Sequence, residues 1–329
     1  MKIADIEFGR YPVFLAPMED VTDAAFRLMC KGFGADMVYT EFVSSDALIR
    51  DVNRSVQKLN ICDEERPVAI QIYGNEVEPM VEAAKRVEQA RPDILDINFG
   101  CPVKKVARKG AGAGMLQNIP KLLQITKAVV DAVKIPVTVK TRLGWDDSSK
   151  VIVELAEALQ DCGIAALTVH GRTREQMYRG RSDRSIIARV KQAVNLPVVA
   201  SGDALSGPDC MDILRETGAD AVMIARGAQG NPMIFADCLA LWQGKPLPEH
   251  TPEEIVALMR RQAELCVARK GESAMVELRK HGLWYLDRFR AGRRLKPEMS
   301  MISTLSQFHS ICDQILEQGF TCKKGDGTL

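Results

Sequence analysis

The 329-residue sequence has almost no net charge, no long apolar segment and no cysteine pattern typical of a metal site. Lys and Arg total 44 against 43 Asp and Glu, so any surface for nucleic acid must be local. No segment reaches the roughly 18 uncharged apolar residues of a membrane helix, and the N-terminus lacks the apolar core of a signal peptide. The nine cysteines contain no Cys-x-x-Cys pair, and the four histidines form no cluster with them. We therefore expect a reduced, cytoplasmic protein with no membrane segment, no metal ion and no evident obligate protein partner.

The first 245 residues alternate short apolar runs with amphipathic helical patterns. Near-continuous apolar character is typical of parallel strands that are covered on both faces. Eight strand–helix units without a break in composition predict an α/β fold, a (β/α)8 TIM barrel over residues 1–245. A doubly wound sheet is the alternative. The predicted strands are Pro12–Met18, Met37–Phe42, Pro67–Gly74, Ile94–Gly100, Pro136–Gly144, Ala166–Arg172, Pro197–Asp203 and Ala221–Gly227, and the clearest helices are Glu76–Ala90, Ile119–Val133, Val151–Asp161 and Pro208–Thr217.

A purely helical pattern begins near Leu247. The sequence Thr-Pro-Glu-Glu at 251–254 is typical of a capping box with proline at the first helical position. Further helices are predicted over Ala274–Phe289 and Ser300–Gln318. These patterns predict a small all-helical domain over residues 246–320, followed by a flexible tail over residues 321–329.

The most informative motif is Asn-Phe-Gly-Cys-Pro at 98–102, which follows a buried apolar run. Gly100 allows a tight turn and Pro102 stiffens its exit, so Cys101 lies at the mouth of a predicted strand. Active sites of parallel barrels are built at these C-terminal strand ends. Cys101 is therefore a candidate proton donor or acceptor, and a small cysteine packed inside a tight turn is the alternative.

Other polar residues also occupy strand ends. Lys140 is a cation within an apolar strand, where it can form a Schiff base, balance an electron-rich cofactor ring or make a structural salt bridge. The Ser201–Asp203 and Ala225–Gly227 segments end strands seven and eight, where barrels often bind phosphate. Together with Gln71 they indicate a phosphorylated ring cofactor. No Gly-x-Gly-x-x-Gly loop follows a strand, so a nicotinamide cofactor would not be held in a Rossmann pocket.

Basic residues are clustered despite the neutral total. One cluster follows Cys101, a second follows strand six, and a third lies within Arg279–Lys296, where Trp284, Tyr285 and Phe289 are either core or base-stacking groups. Any single run is usually a solvated face, but three of them indicate nucleic-acid binding. The first two clusters are Lys104, Lys105, Arg108 and Lys109, and Arg172, Arg174, Arg179, Arg181 and Arg184.

A set of ordered motifs spans the chain from about Pro12 to about Phe320. They are Ala-Pro-Met at 16–18, Val-Thr-Asp at 21–23, Asp-Ile-Asn-Phe-Gly-Cys-Pro at 96–102, Lys-Lys-Val at 104–106, Val-Lys-Thr-Arg-Leu-Gly-Trp at 139–145, Thr-Val-His-Gly-Arg-Thr-Arg at 168–174, Arg-Gly-Ala-Gln-Gly at 226–230 and Arg-Lys-His at 279–281. In these motifs the chain resembles the tRNA-dihydrouridine synthase family, most nearly its bacterial B-type branch. Two positions depart from the family pattern: Ser201 replaces a common Asn, and Ala225 replaces a common Gly.

The resemblance implies an FMN-binding barrel with a tRNA-binding helical domain. It implies reduction of the uracil C5–C6 double bond of specific tRNA uridines, in the D-loop, with NADPH as the transient reductant. Cys101 would be the catalytic general acid, and Lys140 would balance charge on the reduced flavin. The cofactor-binding residues would be Ala16, Pro17, Met18, Gln71, Lys140, His170, Ser201, Gly202, Asp203, Ala225 and Arg226, and the substrate-binding residues Asn98, Arg142, Arg172 and Lys280.

Two other functions are compatible with parts of this pattern. One is a small-molecule FMN oxidoreductase of the dihydroorotate dehydrogenase type, which also uses a barrel; the helical domain and the basic clusters argue against it. The other is an RNA-binding barrel without enzymatic activity, which would be colourless.

Overall fold

A computed structural model describes residues 1–323 and contains a closed parallel barrel followed by a helical region. The predicted α/β barrel is confirmed, and the doubly wound alternative is wrong, because the strand Met37–Tyr39 pairs with the strand Val68–Tyr73 and closes the sheet. The strands are β1 (Lys2–Ile3), β2 (Ile6–Glu7), β3 (Val13–Leu15), β4 (Met37–Tyr39), β5 (Val43–Ser44), β6 (Val68–Tyr73), β7 (Ile94–Phe99), β8 (Val137–Arg142), β9 (Ala166–His170), β10 (Val198–Ser201) and β11 (Ala221–Ile224).

The barrel is formed by β3, β4 and β6 to β11, and β11 pairs back with β3. Short β5 runs beside β6 as an additional edge. The β1–β2 hairpin was not predicted, since its strands have only two residues each. Its Ile3 is buried with Phe14, Met37 and Ile94, which begin or nearly begin their strands. The hairpin therefore closes the N-terminal end of the barrel and leaves the C-terminal end open for a site.

Amphipathic helices surround the barrel and bury their apolar faces against the outward side chains of the strands. The four clearest predicted helices agree with the structure to within one residue at each end. The helices of this part are α1 (Ala24–Gly32), α2 (Ser45–Ile49), α3 (Asn53–Gln57), α4 (Val77–Gln89), α5 (Lys104–Ala107), α6 (Ile119–Ala132), α7 (Ile152–Asp161), α8 (Arg184–Ala193), α9 (Gly207–Thr217) and α10 (Ile234–Trp242).

The C-terminal region contains α11 (Pro252–Lys270), α12 (Ala274–Leu286), α13 (Lys296–Met299) and α14 (Leu305–Glu317). The predicted capping box is present, because Thr251 Oγ1 accepts from the Glu254 N–H and Glu254 Oε2 accepts from the Thr251 N–H. A second capping box at Thr304 explains why α14 begins later than predicted. These helices share a core with Ala25 and Met29 of α1, so they pack on the barrel.

The first residues of the predicted flexible tail make backbone contacts, and their flexibility stays a prediction. Lys323 donates its backbone N–H to the Arg288 carbonyl at 2.8 Å, and the backbone of Cys322 forms an isolated antiparallel β-bridge with Phe289. The remainder of that prediction, residues 324–329, lies outside the described residues. Within residues 1–323, no helix combines the length and the apolar character needed to cross a membrane.

Candidate active site at the C-terminal end of the barrel

A cavity of about 400 Å³ opens at the C-terminal ends of the barrel strands. The parallel register explains why residues distant in sequence meet there: Asn98 pairs with Lys140, and Arg142 pairs with His170. The structure therefore brings most of the predicted site residues together. Those that line the cavity are Ala16, Pro17, Met18, Asn98, Cys101, Lys140, Arg142, His170, Ser201, Gly202, Asp203, Ala225 and Arg226.

The turn that carries Cys101 is held by the Asn98 side chain. Asn98 Oδ1 accepts from the N–H groups of Gly100 at 2.9 Å and Cys101 at 2.8 Å. Gly112 packs against this turn, and a Cβ there would lie 3.1 Å from the Cys101 Cβ. The thiol residue is only 7% exposed, and burial raises the pKa of Cys101 above its ordinary value. Cys101 therefore keeps its proton at neutral pH and can donate it into the cavity.

Lys140 projects from the middle of β8 toward this cavity. Within residues 1–323, no carboxylate oxygen lies within 4.0 Å of its Nζ, so the structural salt bridge considered above is not formed. Burial and the neighbouring Arg142 cation lower the pKa of Lys140 to about 8. The ammonium group is thus mostly charged at neutral pH and lacks a direct anionic partner, as expected for a residue that meets an anionic ligand.

His170 and the surrounding arginines set the charge of the opposite wall. Burial, followed by repulsion from Arg142 and other cations, holds the pKa of His170 well below its ordinary value. The imidazole is therefore neutral. Arg142 is 1% exposed and donates to the carbonyls of Gly100, Thr173 and Met177 at 2.8 to 3.0 Å. Arg142 thereby ties the loop after β9 to the Cys101 turn.

The ends of β10 and β11 form a site for an anion. The backbone N–H groups of Gly202, Asp203, Ala225 and Arg226 donate to no other backbone group of the described chain. Arg226 lies beside them, and Asp203 accepts from its Nη2 at 3.3 Å. Free N–H groups with an adjacent guanidinium are the donor set that a phosphate requires. This arrangement fits the phosphate of a ring cofactor, with the cavity between it and Lys140 available for the ring.

Gly202 is the glycine that this site requires. Its φ of +116° is unfavourable for other residues, and a Cβ would lie 2.5 Å from Ser182 Oγ. Ser201 and Ala225, the two departures from the family pattern, both line the cavity. At position 225 the available donor is the backbone N–H, which an alanine supplies as well as a glycine.

Three predicted site residues do not line the cavity. Gln71 is fully buried and its amide binds Asp96 and Asn98, so its predicted contact with the flavin stays a prediction. Arg172 is 1% exposed and donates to both Asp203 carboxylate oxygens at 2.8 Å, so it orients Asp203, and its predicted contact with substrate stays a prediction. Lys280 lies half-buried on α12, away from the cavity lining, where its predicted contact with RNA stays a prediction.

The basic stretch Arg279–Lys296 divides into structural and exposed cations. Arg279 Nε donates to the Ile302 carbonyl at 2.8 Å, and Lys296 pairs with Asp287 at 2.6 Å. The interleaved aromatics belong to the core, since Tyr285 and Phe289 are each 1% exposed and Trp284 packs against the barrel core. Within this stretch, three exposed cations have no ion-pair partner among residues 1–323: Arg290, Arg293 and Arg294.

Two notable residues, one that lines the cavity and one buried outside its lining, were missed by the sequence analysis. Tyr178 lines the cavity with 51% exposure, and its ring lies 5.1 Å from the Arg226 guanidinium and 5.7 Å from that of Arg142. The only feature of the sequence that could have indicated Tyr178 is its position as a single aromatic residue in the arginine-rich loop after β9. Asp96 is a fully buried carboxylate whose pKa burial raises to about 6. The cost of burying a charge in a strand, which singled out Lys140, would also have singled out Asp96.

A larger cavity of about 620 Å³ lies between α1 and the C-terminal helices. Its charges are largely paired, because Lys270 binds both Asp23 and Glu277 at 2.8 Å and Arg54 binds Asp20. Its lining includes none of the predicted site residues from the described chain. We therefore assign the chemistry to the smaller cavity around Cys101.

Comparison with known proteins identifies the family to which this chain belongs. The family model described as "Dihydrouridine synthase (Dus)" matches residues 14–320. A tRNA-dihydrouridine synthase B from Shewanella oneidensis is 37% identical over 308 residues, covering 93% of this chain and 95% of the relative. The protein of the same name from Pseudomonas aeruginosa is 38% identical, covering 96% and 95%. Among solved structures, morphinone reductase aligns with a TM-score of 0.50 at 13% identity over 74% of this chain and 90% of that one, which supports the barrel fold alone.

Proposed function

Because this chain belongs to the dihydrouridine synthase family, we propose that it is an FMN-dependent tRNA-dihydrouridine synthase. It reduces the C5–C6 double bond of specific uridines in tRNA, in the D-loop, and uses NADPH as the reductant. The observation that carries this proposal is a protonated thiol, Cys101, in the same cavity as an unpaired cation and an anion site. A tRNA substrate places the reaction in the cytoplasm.

The cavity residues suit FMN in charge and in donor type. The free N–H groups at 202–203 and 225–226, with the Arg226 guanidinium, would bind its phosphate. Lys140 would supply positive charge beside the ring, and neutral His170 would supply a hydrogen bond without adding charge. When bound, FMN supplies the hydride for the reduction of uracil.

Cys101 supplies the proton. Its raised pKa keeps the thiol protonated at neutral pH, so it can act as the general acid at C5 of uracil. Asn98 and Arg142 hold the turn that carries the thiol through Gly100 and the Cys101 backbone. The remaining N–H of the Asn98 amide is available for the uracil edge, and Arg142 lines the same wall.

Exposed cations near the cavity would bind the RNA backbone. Helix α5 and the two residues after it follow the Cys101 turn and carry four exposed cations, Lys104, Lys105, Arg108 and Lys109. The target uridine must leave its stack to enter the cavity, and backbone contacts on either side would offset that cost. Arg290, Arg293, Arg294 and Lys280 of the C-terminal region provide a second basic surface.

The proposal is tested by incubating purified, flavin-loaded protein with NADPH and either unmodified tRNA or free pyrimidines. Nucleoside mass spectrometry should detect dihydrouridine in tRNA and no reduced free pyrimidine. Reduction of free pyrimidine without reduction of RNA would favour the small-molecule oxidoreductase. A colourless protein that binds tRNA without consuming NADPH would favour the RNA-binding barrel.

A further inference from the structure

A row of buried polar side chains crosses three neighbouring strands next to the Cys101 turn. Gln71 of β6, Asp96 of β7 and Thr138 of β8 are directly paired in the parallel register, so their side chains point to the same side of the sheet. None is more than 2% exposed. Asp96 Oδ2 accepts from Gln71 Nε2 at 2.6 Å, and Asp96 Oδ1 accepts from Thr138 Oγ1 at 2.5 Å. The mechanism described above gives Asp96 no role, although a buried carboxylate is costly.

The hydrogen bonds of this row continue to the turn. Gln71 Oε1 accepts from Asn98 Nδ2 at 2.8 Å, and Asn98 Oδ1 accepts from the N–H groups of Gly100 and Cys101. Two side chains, those of Gln71 and Asn98, therefore connect the buried carboxylate to the backbone of Cys101 through three hydrogen bonds. No water is needed to complete the path, because every link is a direct contact of 2.9 Å or less.

The carboxylate gives this path a direction. An ionised carboxylate only accepts hydrogen bonds, so Gln71 must present its NH2 group to Asp96 and its oxygen to Asn98. Asn98 must then present its NH2 group to Gln71 and its oxygen to the turn. If either amide rotated by half a turn, two donors or two acceptors would face each other in a buried site, which costs about 1 to 3 kcal/mol per unsatisfied group.

We propose that Asp96 is a positioning residue that fixes the orientation of the Gln71 and Asn98 amides and thereby places the Cys101 thiol. The proposal rests on the proposed function in one respect, since it treats Cys101 as the group whose position matters for reduction of uracil. Asp96 itself does not line the cavity, and its side chain accepts hydrogen bonds from Gln71 and Thr138 and not from the thiol turn.

The sharpest test reverses the direction of the path. Asn98→Asp places a second carboxylate against the Gln71 oxygen, so it should distort the turn. We expect oxidation of reduced flavin by tRNA to slow about 100-fold, the size of effect that a displacement near 1 Å causes. Hydrogen exchange of the 99–103 segment, followed by mass spectrometry, should become about tenfold faster as the Gly100 and Cys101 amides lose protection.

Adding Asp96→Asn should rescue Asn98→Asp. In the double variant the new amide at position 96 donates to the Gln71 oxygen, and Gln71 donates to the new carboxylate at position 98. That carboxylate still accepts from the turn, so every group is again satisfied. The hydrogen-exchange rate should return to within about threefold of the wild type. The oxidation of reduced flavin should regain most of the lost rate but not all of it, because a carboxylate at position 98 offers no N–H to the uracil edge. Additive or worse behaviour of the double variant would overturn the proposal, because a merely structural Asp96 predicts no rescue.

A third substitution separates hydrogen-bond direction from charge. Gln71→Met in the double variant keeps the charge but removes the middle link, and it should abolish the rescue; a rescue that survives would show that charge alone is responsible. If Asn98→Asp does not fold, Gln71→Met alone should disturb both readouts, and Asp96→Asn should not repair it. If the wild type makes no dihydrouridine, the proposed function fails, while the hydrogen-exchange readout still decides the positioning role.

Discussion

Removal of the Cys101 thiol is the substitution that isolates the proposed proton transfer. Cys101→Ala removes one sulfur atom and leaves the turn intact, because Asn98 binds the backbone N–H groups of Gly100 and Cys101 and not the thiol. Loss of a general acid slows a reaction by about 100- to 10,000-fold. That range corresponds to roughly 3 to 5 kcal/mol of transition-state free energy. Flavin binding and flavin reduction by NADPH should be unchanged, since neither needs this proton.

Rapid mixing separates these steps. Enzyme with pre-reduced flavin is mixed anaerobically with unmodified tRNA, and the return of oxidised-flavin absorbance gives the rate of uracil reduction. Cys162→Ala is the matched control, because that half-buried cysteine lies at the end of α7, outside the cavity lining. Cys101→Ser should fall between the two, since a hydroxyl gives up a proton less readily than a thiol. Near-normal reoxidation in Cys101→Ala, with dihydrouridine formed, would refute the assignment of the acid.

Three further changes test other parts of the site. Lys140→Ala should weaken flavin retention or slow flavin reduction. In the wild type, the rate of flavin reduction should fall as pH rises through about 8, because the pKa of Lys140 is about 8 and its ammonium group is neutral above that pH. Gly202→Ala should lower the free energy of unfolding by about 1 to 3 kcal/mol, measured by denaturant titration, because it adds a Cβ 2.5 Å from Ser182 Oγ at a positive φ. Arg293→Ser with Arg294→Ser should weaken tRNA binding and reduce the salt slope by about two, with NADPH oxidation unchanged.

Each of these changes has a matched control in the chain. Lys140→Arg stays charged and should remove the decline near pH 8; a decline that persists would assign the pKa to another group. Gly180→Ala shares a positive φ but meets no neighbouring atom within 4 Å, so it should cost less than Gly202→Ala. Arg215→Ser removes an exposed arginine that pairs with Asp212, and it should leave tRNA affinity unchanged. If Arg215→Ser lowered tRNA affinity as much as the Arg293→Ser and Arg294→Ser pair does, neither site would be a specific RNA contact, and all three arginines would be solvated surface charges.

The barrel could be predicted because its strands and helices have strong local patterns. Each of the eight apolar runs became a strand, since strands buried on both faces leave little choice of residue. The β1–β2 hairpin could not be predicted, because two-residue strands have no periodicity and are stabilised by contacts of Ile3 with Phe14 and Met37 across the barrel. The end of α12 and the start of α14 were missed by a few residues. The Thr304 capping box decides where α14 begins.

The position of the site could be predicted from the sequence, but the hydrogen-bond partners of its side chains could not. Strand ends of a barrel converge, so residues such as Lys140 and Cys101 could be expected to meet. Position at a strand end does not reveal which partner a side chain binds. Gln71 donates a hydrogen bond to Asp96, and Arg172 donates to Asp203, because buried polar groups bind nearby partners that satisfy their hydrogen bonds. Arg279 likewise donates to the Ile302 carbonyl, while the predicted RNA contacts of the basic stretch at 279–296 stay a prediction.

The central claim is that this cavity reduces a uracil ring within tRNA. The most direct measurement is a single turnover, in which protein with pre-reduced flavin and no NADPH is mixed anaerobically with unmodified tRNA. The tRNA is then digested to nucleosides, and dihydrouridine is quantified by mass spectrometry. We predict that each equivalent of reduced flavin that disappears yields one dihydrouridine, confined to particular positions of the tRNA. Flavin that stays reduced, or that is reoxidised without formation of dihydrouridine, would contradict the proposed function.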